Sequence, residues 1–153
     1  MKTGIIIYSQ TGHTRQAAQR LRDALRNKGQ ECELLEVQVS TAKPEANIDK
    51  IQFTVKPSPE GYDRLVFASP VWAFSLCGVM KAYMAGLPSL GGKKISLFVT
   101  HHLPLPWMGG NNAIKQMKQL CLDKGGQVQS HAIISWNERR REVDIAGMLN
   151  RLA

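Results

Sequence analysis

Three hydroxyl side chains and one glycine fall within the six residues Ser9-Gln10-Thr11-Gly12-His13-Thr14. Donors at that density suit the grip of a small anion. The segment follows the apolar run Gly4-Ile5-Ile6-Ile7-Tyr8 and opens a helical pattern near Arg15, so hydroxyls and the first amides of a helix converge on one place. Hydrogen bonds to a charged group contribute about 1.5 to 3 kcal/mol each. The helix dipole adds about 0.3 to 1 kcal/mol, so the donors would carry the affinity. Spacing alone leaves a second reading open, in which Ser9 to Thr14 is an ordinary Ser/Thr cap after a strand.

Two further segments carry chemistry. Ser69-Pro70-Val71-Trp72-Ala73-Phe74-Ser75 presents aromatic side chains where a loop is usually polar, and a planar ligand could stack there. His101-His102-Leu103-Pro104-Leu105-Pro106-Trp107-Met108-Gly109-Gly110 adds a tryptophan, two glycines that permit close backbone approach, and two imidazoles. Histidine titrates near neutrality, which makes His101 and His102 candidate proton donors or acceptors as well as candidate solvated loop residues. Other anion chemistries fail on specific residues. Gly12-His13-Thr14 lacks the lysine of a P-loop, Gly12 stands alone where a dinucleotide fingerprint needs three glycines, and no second ligand pair joins His101-His102 for zinc.

Five short apolar runs position these loops: Thr3 to Tyr8, Cys32 to Val37, Arg64 to Ala68, Lys94 to Thr100 and Val128 to Ser135. Most are continuous rather than alternating, as expected of parallel strands covered on both faces. Helical patterns separate them. After Thr14, Ala18, Leu21 and Leu25 share a face opposite arginines until Lys28-Gly29; further helices are predicted from Leu76 to Ala85, Asn112 to Lys124 and Glu142 to Leu152. Pro44, Pro57 and Pro59 break up residues 38–62, where a short helix over 45–51 is the one element expected. Repeated βα units predict a doubly wound α/β sandwich with a five-stranded parallel sheet, and in such sheets ligands sit beyond the carboxyl ends of the strands. The three loops occupy three such ends.

The chain has 153 residues, enough for one domain with a real core. No stretch is apolar for long enough to span a membrane, and three widely spaced cysteines, Cys32, Cys77 and Cys121, form no metal-type pair. These features predict a soluble protein of a reducing, cytoplasmic compartment. The formal net charge of +8 raises an acidic partner, but no basic run is interleaved with aromatics, so a specific nucleic-acid site is not expected.

In these three loops together, the sequence resembles the flavodoxin family, and the likeness runs along nearly its whole length. Ser9 to Thr14 is similar to that family's Thr/Ser-x-Thr-Gly-x-Thr phosphate loop. Tyr62-Asp63 through Trp72 resembles its tyrosine-aspartate, strand, Ser-Pro-Val-aromatic stretch, and Thr100 to Gly110 its second flavin-flanking loop. The resemblance implies strand order 2-1-3-4-5 and a non-covalent FMN. It would place Ser9, Gln10, Thr11, Gly12, His13 and Thr14 at the phosphate. Pro70, Val71, Trp72, Ala73 and Phe74 would line one side of the isoalloxazine, and Thr100, His101, Trp107, Gly109 and Gly110 the other.

It further implies electron transfer to a redox partner, or a small NAD(P)H-linked reductase of the quinone or flavin type; a flavodoxin-fold binding or regulatory module without redox turnover is the alternative. Two departures stand out. Carrier flavodoxins are typically acidic, whereas this chain is basic and its third loop has no carboxylate. No glycine lies between Ser69 and Ser75, where family members often use one to turn a peptide toward the flavin.

Overall fold

The computed structural model describes residues 1–40, 50–102 and 107–153. Five parallel strands, β1 (Lys2–Ile7), β2 (Glu31–Glu36), β5 (Arg64–Trp72), β7 (Lys94–His101) and β8 (Gln127–Ser135), lie in the order β2-β1-β5-β7-β8. Counted among the parallel strands alone, this is 2-1-3-4-5, as expected. Two short strands, β3 (Gln38–Val39) and β4 (Phe53–Val55), pair antiparallel away from the sheet, and β6 (Ser75–Leu76) folds back on the end of β5.

The apolar runs are continuous because each strand feeds two cores. Ile6, Leu65, Phe67, Leu97 and Val99 face a core shared with α2 (Gly78–Ala85) and α3 (Gly110–Asp123). Their neighbours Ile5, Ile7, Val66, Ala68, Phe98 and Ile134 face α1 (His13–Asn27) and α4 (Arg141–Leu152). Full burial of such side chains contributes about 1.5 to 3 kcal/mol each, so three layers follow directly from strands apolar on both faces. The glycine stop after α1 is seen at Gly29, which has φ +81°.

The strand of Arg64 extends four residues beyond the expected Ala68. Its end remains paired with β7 as far as Pro70 opposite Thr100, and Val71 and Trp72 then pair with β6. The following helix accordingly starts at Gly78 rather than Leu76. Most of the helix expected over 45–51 lies outside the described residues. Among the described residues, no helix is long and apolar enough to cross a membrane.

Candidate functional site

At the end of β1, Gly12 takes φ +92°, a left-handed conformation that costs a side-chain-bearing residue strain, and serves as the N-cap of α1. Its carbonyl accepts from Gln16 N–H at 3.0 Å. The Arg15 N–H donates to Ser9 Oγ at 3.2 Å, while the amides of His13 and Thr14 precede the first intrahelical bond. The Arg15 guanidinium is turned away to Glu36, with three contacts of 2.8 to 3.0 Å. Its charge is therefore paired, which leaves hydroxyls and amides as the donors that the loop offers.

A slot of about 130 Å³ opens where three strand ends meet. Gln10, Thr11 and His13 come from the loop after β1, Pro70, Val71 and Trp72 from the end of β5, and Thr100, His101 and His102 from the end of β7. The slot lies at the topological switch: β1 leads into α1 on one face, whereas neighbouring β5 leads into α2 on the other. Trp72 is braced edge-on by Tyr8, centroids 5.8 Å apart at 88°. Behind the slot, the Thr14 and Thr100 hydroxyls are 2.8 Å apart. One O–H satisfies this bond and leaves the other hydroxyl a proton to donate elsewhere.

Histidines dominate the electrostatics. His101 is only 5% exposed, and its Nδ1 is buried without a hydrogen-bond partner in the protein. His101 also lines the slot, so its unpartnered buried nitrogen is an unmet hydrogen-bonding obligation next to it. The His13 ring stacks on Trp136, centroids 4.6 Å apart at 13°, and meets His102 edge-on at 4.9 Å; Arg141 lies 5.3 Å over the other member of the stack, Trp136. Burial holds His13 below the usual histidine range, and the neighbouring His102 and Arg141 side chains lower it further. Burial likewise lowers His101, against an opposing pull from Asp144. Neutral imidazoles at pH 7 can each donate one hydrogen bond and accept another.

Ala73, Phe74, Gly109 and Gly110 form a brace beside the slot. Ala73 and Phe74, at φ +48° and +63°, form the two-residue turn between β5 and β6, with Phe74 61% exposed at its tip. A Cβ on Gly109 would come within 2.6 Å of the Phe74 Cα, so glycine there lets α3 approach the turn. Asn112 Nδ2 donates to Phe74 O at 3.2 Å, and Gln116 Oε1 accepts from Leu76 N–H at 2.8 Å and Ser75 Oγ at 2.9 Å. Gly110 allows the same closeness to Ile133, whose Cγ2 would lie 2.7 Å from an added Cβ.

Trp107 is 67% exposed and lines no part of the slot, and residues 103–106 of the same loop lie outside the described residues. Trp136 and Arg141 were not expected at the site. Their signal in the sequence was position: both follow the last strand at the same end of the sheet. Burial pushes the Cys77 thiol up to about 11, so its place at the start of α2 does not activate it. Among the described residues, no group of three or more His, Cys, Asp or Glu is arranged to hold a metal ion.

No family model and no curated protein sequence matches the chain. Solved structures do. A flavoprotein from Lactobacillus acidophilus in complex with FMN aligns with a TM-score of 0.63 at 20% identity, over 86% of this chain and 92% of that one. The flavodoxin of Streptococcus pneumoniae aligns with a TM-score of 0.64 at 15% identity, over 99% and 97%. A Fusobacterium nucleatum flavodoxin bound to flavin mononucleotide gives 0.58 at 14% identity, over 84% and 68%. At such identities the likeness establishes the fold, which is flavodoxin-like.

Proposed function

We propose that the chain binds FMN non-covalently and works as a flavin redox protein. The observation that carries this reading is the convergence of three loops on one slot at the switch point, with a hydroxyl-rich helix opening on one side and Trp72 on another. The donor set fits the group. Thr11 and the opening amides of α1 suit a phosphate, while Trp72, Pro70 and Val71 offer an apolar wall to a planar ring. The orphaned Nδ1 of His101 supplies a polar partner for a ring edge.

When bound, FMN exchanges one or two electrons with a partner. The chain's own residues bind, orient and set local charge. Glu36 is paired with Arg15, and Asp144 is held by the Ser135 N–H and Arg140. Among the described residues, the slot lining contains imidazoles and no carboxylate. His101, buried beside the slot and held below the usual histidine range by that burial, offers an imidazole that can donate or accept there. The net charge of +8 supports an acidic redox partner or an anionic small-molecule acceptor over a basic docking protein.

Purified protein should carry flavin absorbance that heat denaturation releases as FMN. Its absence after reconstitution with FMN would overturn the reading in favour of a binding module without redox turnover. Anaerobic addition of NADH or NADPH then divides the redox roles: a reductase bleaches the flavin unaided, whereas a carrier requires a second protein.

A further inference from the structure

β8 ends the sheet, and among the described residues its outer edge has no strand partner. Two contacts from α4 show which way its main-chain groups face. The Ser135 N–H donates to Asp144 Oδ2 at 2.9 Å, and Arg151 Nη1 donates to His131 O at 3.4 Å. Alternation then turns the N–H and C=O of Ile133, midway between them, to the same outer side. Asp144, Gly147 and Arg151 are three and four residues apart and share the face of α4 that follows this edge. Nothing lies within 4 Å of where a Gly147 Cβ would stand. The helix pins both ends of the edge and leaves a window over Ile133, where a cavity of about 420 Å³ opens.

Proteins normally cover or charge an open edge, because its unpaired groups template another strand. The charges here are mostly positive, with Asp144 the one carboxylate of the cavity lining among the described residues. Arg140 and Arg151 line the cavity, Lys115 and Lys118 flank its α3 side, and the carboxylate of Asp144 is engaged by the Ser135 N–H and Arg140. Val143, 69% exposed, offers an apolar anchor beside the window.

We propose that this edge is a docking groove for an acidic, extended segment of a partner protein, which adds to β8 as a further strand. Its main chain pairs with Ile133, and its carboxylates draw Arg151 and Arg140 outward. Main-chain pairing supplies affinity in this mode and side chains supply selectivity. The groove ends beside the slot, since the Trp136 N–H bonds His101 O at 2.7 Å just past Ser135. A docked partner would therefore stand next to the candidate cofactor. The inference does not depend on what the slot holds.

The test is titration of isotope-labelled full-length protein with a capped hexapeptide alternating glutamate and valine, and with its lysine–valine counterpart, followed by amide NMR. The acidic peptide should shift His131, Ile133 and Ser135 selectively, with affinity that weakens as salt rises. Gly147→Leu closes the window and should weaken binding by at least roughly tenfold, a loss of about 1.4 kcal/mol, while circular dichroism and the thermal melt stay native. Arg151→Glu should remove the preference for the acidic peptide. Equal binding of both peptides, no saturable shift at millimolar peptide, or shifts on another face would overturn the proposal. So would self-association in sedimentation velocity that Gly147→Leu abolishes, because it would assign the edge to a second copy of this chain.

Discussion

The Thr14 hydroxyl is 2.8 Å from that of Thr100, joining the opening turn of α1 to the end of β7 behind the slot. Thr14 is 1% and Thr100 3% exposed, so neither hydroxyl has water to fall back on. Removing one with Thr14→Val should cost about 1 to 3 kcal/mol, because the other is left buried and unpaired. The double variant Thr14→Val/Thr100→Val should cost less than the two singles together. Urea unfolding of all four proteins measures the coupling; strictly additive costs would show that the hydroxyls act independently.

Thr11 is the exposed hydroxyl of the phosphate-type loop and lines the slot. Thr11→Asp places a negative charge there without disturbing the buried pair. FMN affinity should fall by about 1.5 to 3 kcal/mol, the range of a hydrogen bond to a charged group, while riboflavin, which lacks the phosphate, should lose little. Titrations monitored by flavin fluorescence compare the two, and equal losses would place the phosphate elsewhere.

His101 and His102 line the slot, and no carboxylate among the described residues does. Reduction adds negative charge to the flavin, so its two-electron potential in this protein should be less negative than in acidic proteins of the same fold. His102→Glu should move the potential in the negative direction. Spectroelectrochemical titration reads both, and a wild-type potential as low as that of the acidic proteins would refute the electrostatic argument.

Burial depresses His13, His101 and His131 below the usual histidine range. The unfolded chain therefore takes up protons as pH falls through about 6.5, while the folded imidazoles remain neutral to lower pH. Their contribution to stability is complete above that value and is lost progressively below it. Urea midpoints from pH 8 to pH 5 should decline on the acid side, and His101→Gln should flatten the decline.

Ala73 and Phe74 both have positive φ in a two-residue hairpin that ordinarily favours glycine or asparagine. Left-handed backbone costs a side-chain-bearing residue roughly 1 to 2 kcal/mol. Ala73→Gly relieves that strain and loses part of the gain to unfolded-state entropy. A small rise in melting temperature is expected, and a fall would mean that the methyl group packs more favourably than the turn is strained.

These particulars also mark how far the sequence could be read. Ile5-Ile6-Ile7 and Leu65-Val66-Phe67 announced two-sided burial, and with it the sheet, its layers and the strand ends that gather the slot. The β5–β6 hairpin was illegible because its turn is Ala73-Phe74, with none of the residues that usually signal such a turn. β3 and β4, two and three residues long, are too short to show a period. The loop after β1 was readable as donor-rich, but not which donors face inward: Thr14 is sealed against Thr100 while Thr11 is exposed, a distinction set by packing across 86 residues. The stack of His13 on Trp136 depends on a contact between opposite ends of the chain, which no local pattern encodes.

The carbonyl of His101, at the end of β7, accepts from the Trp136 N–H, and Gly109, at the start of α3, is seated on the Phe74 backbone. Strand end and helix start are thus each held by a contact with another part of the chain, so the spacing between β7 and α3 at this end of the sheet is set from outside the loop that joins them.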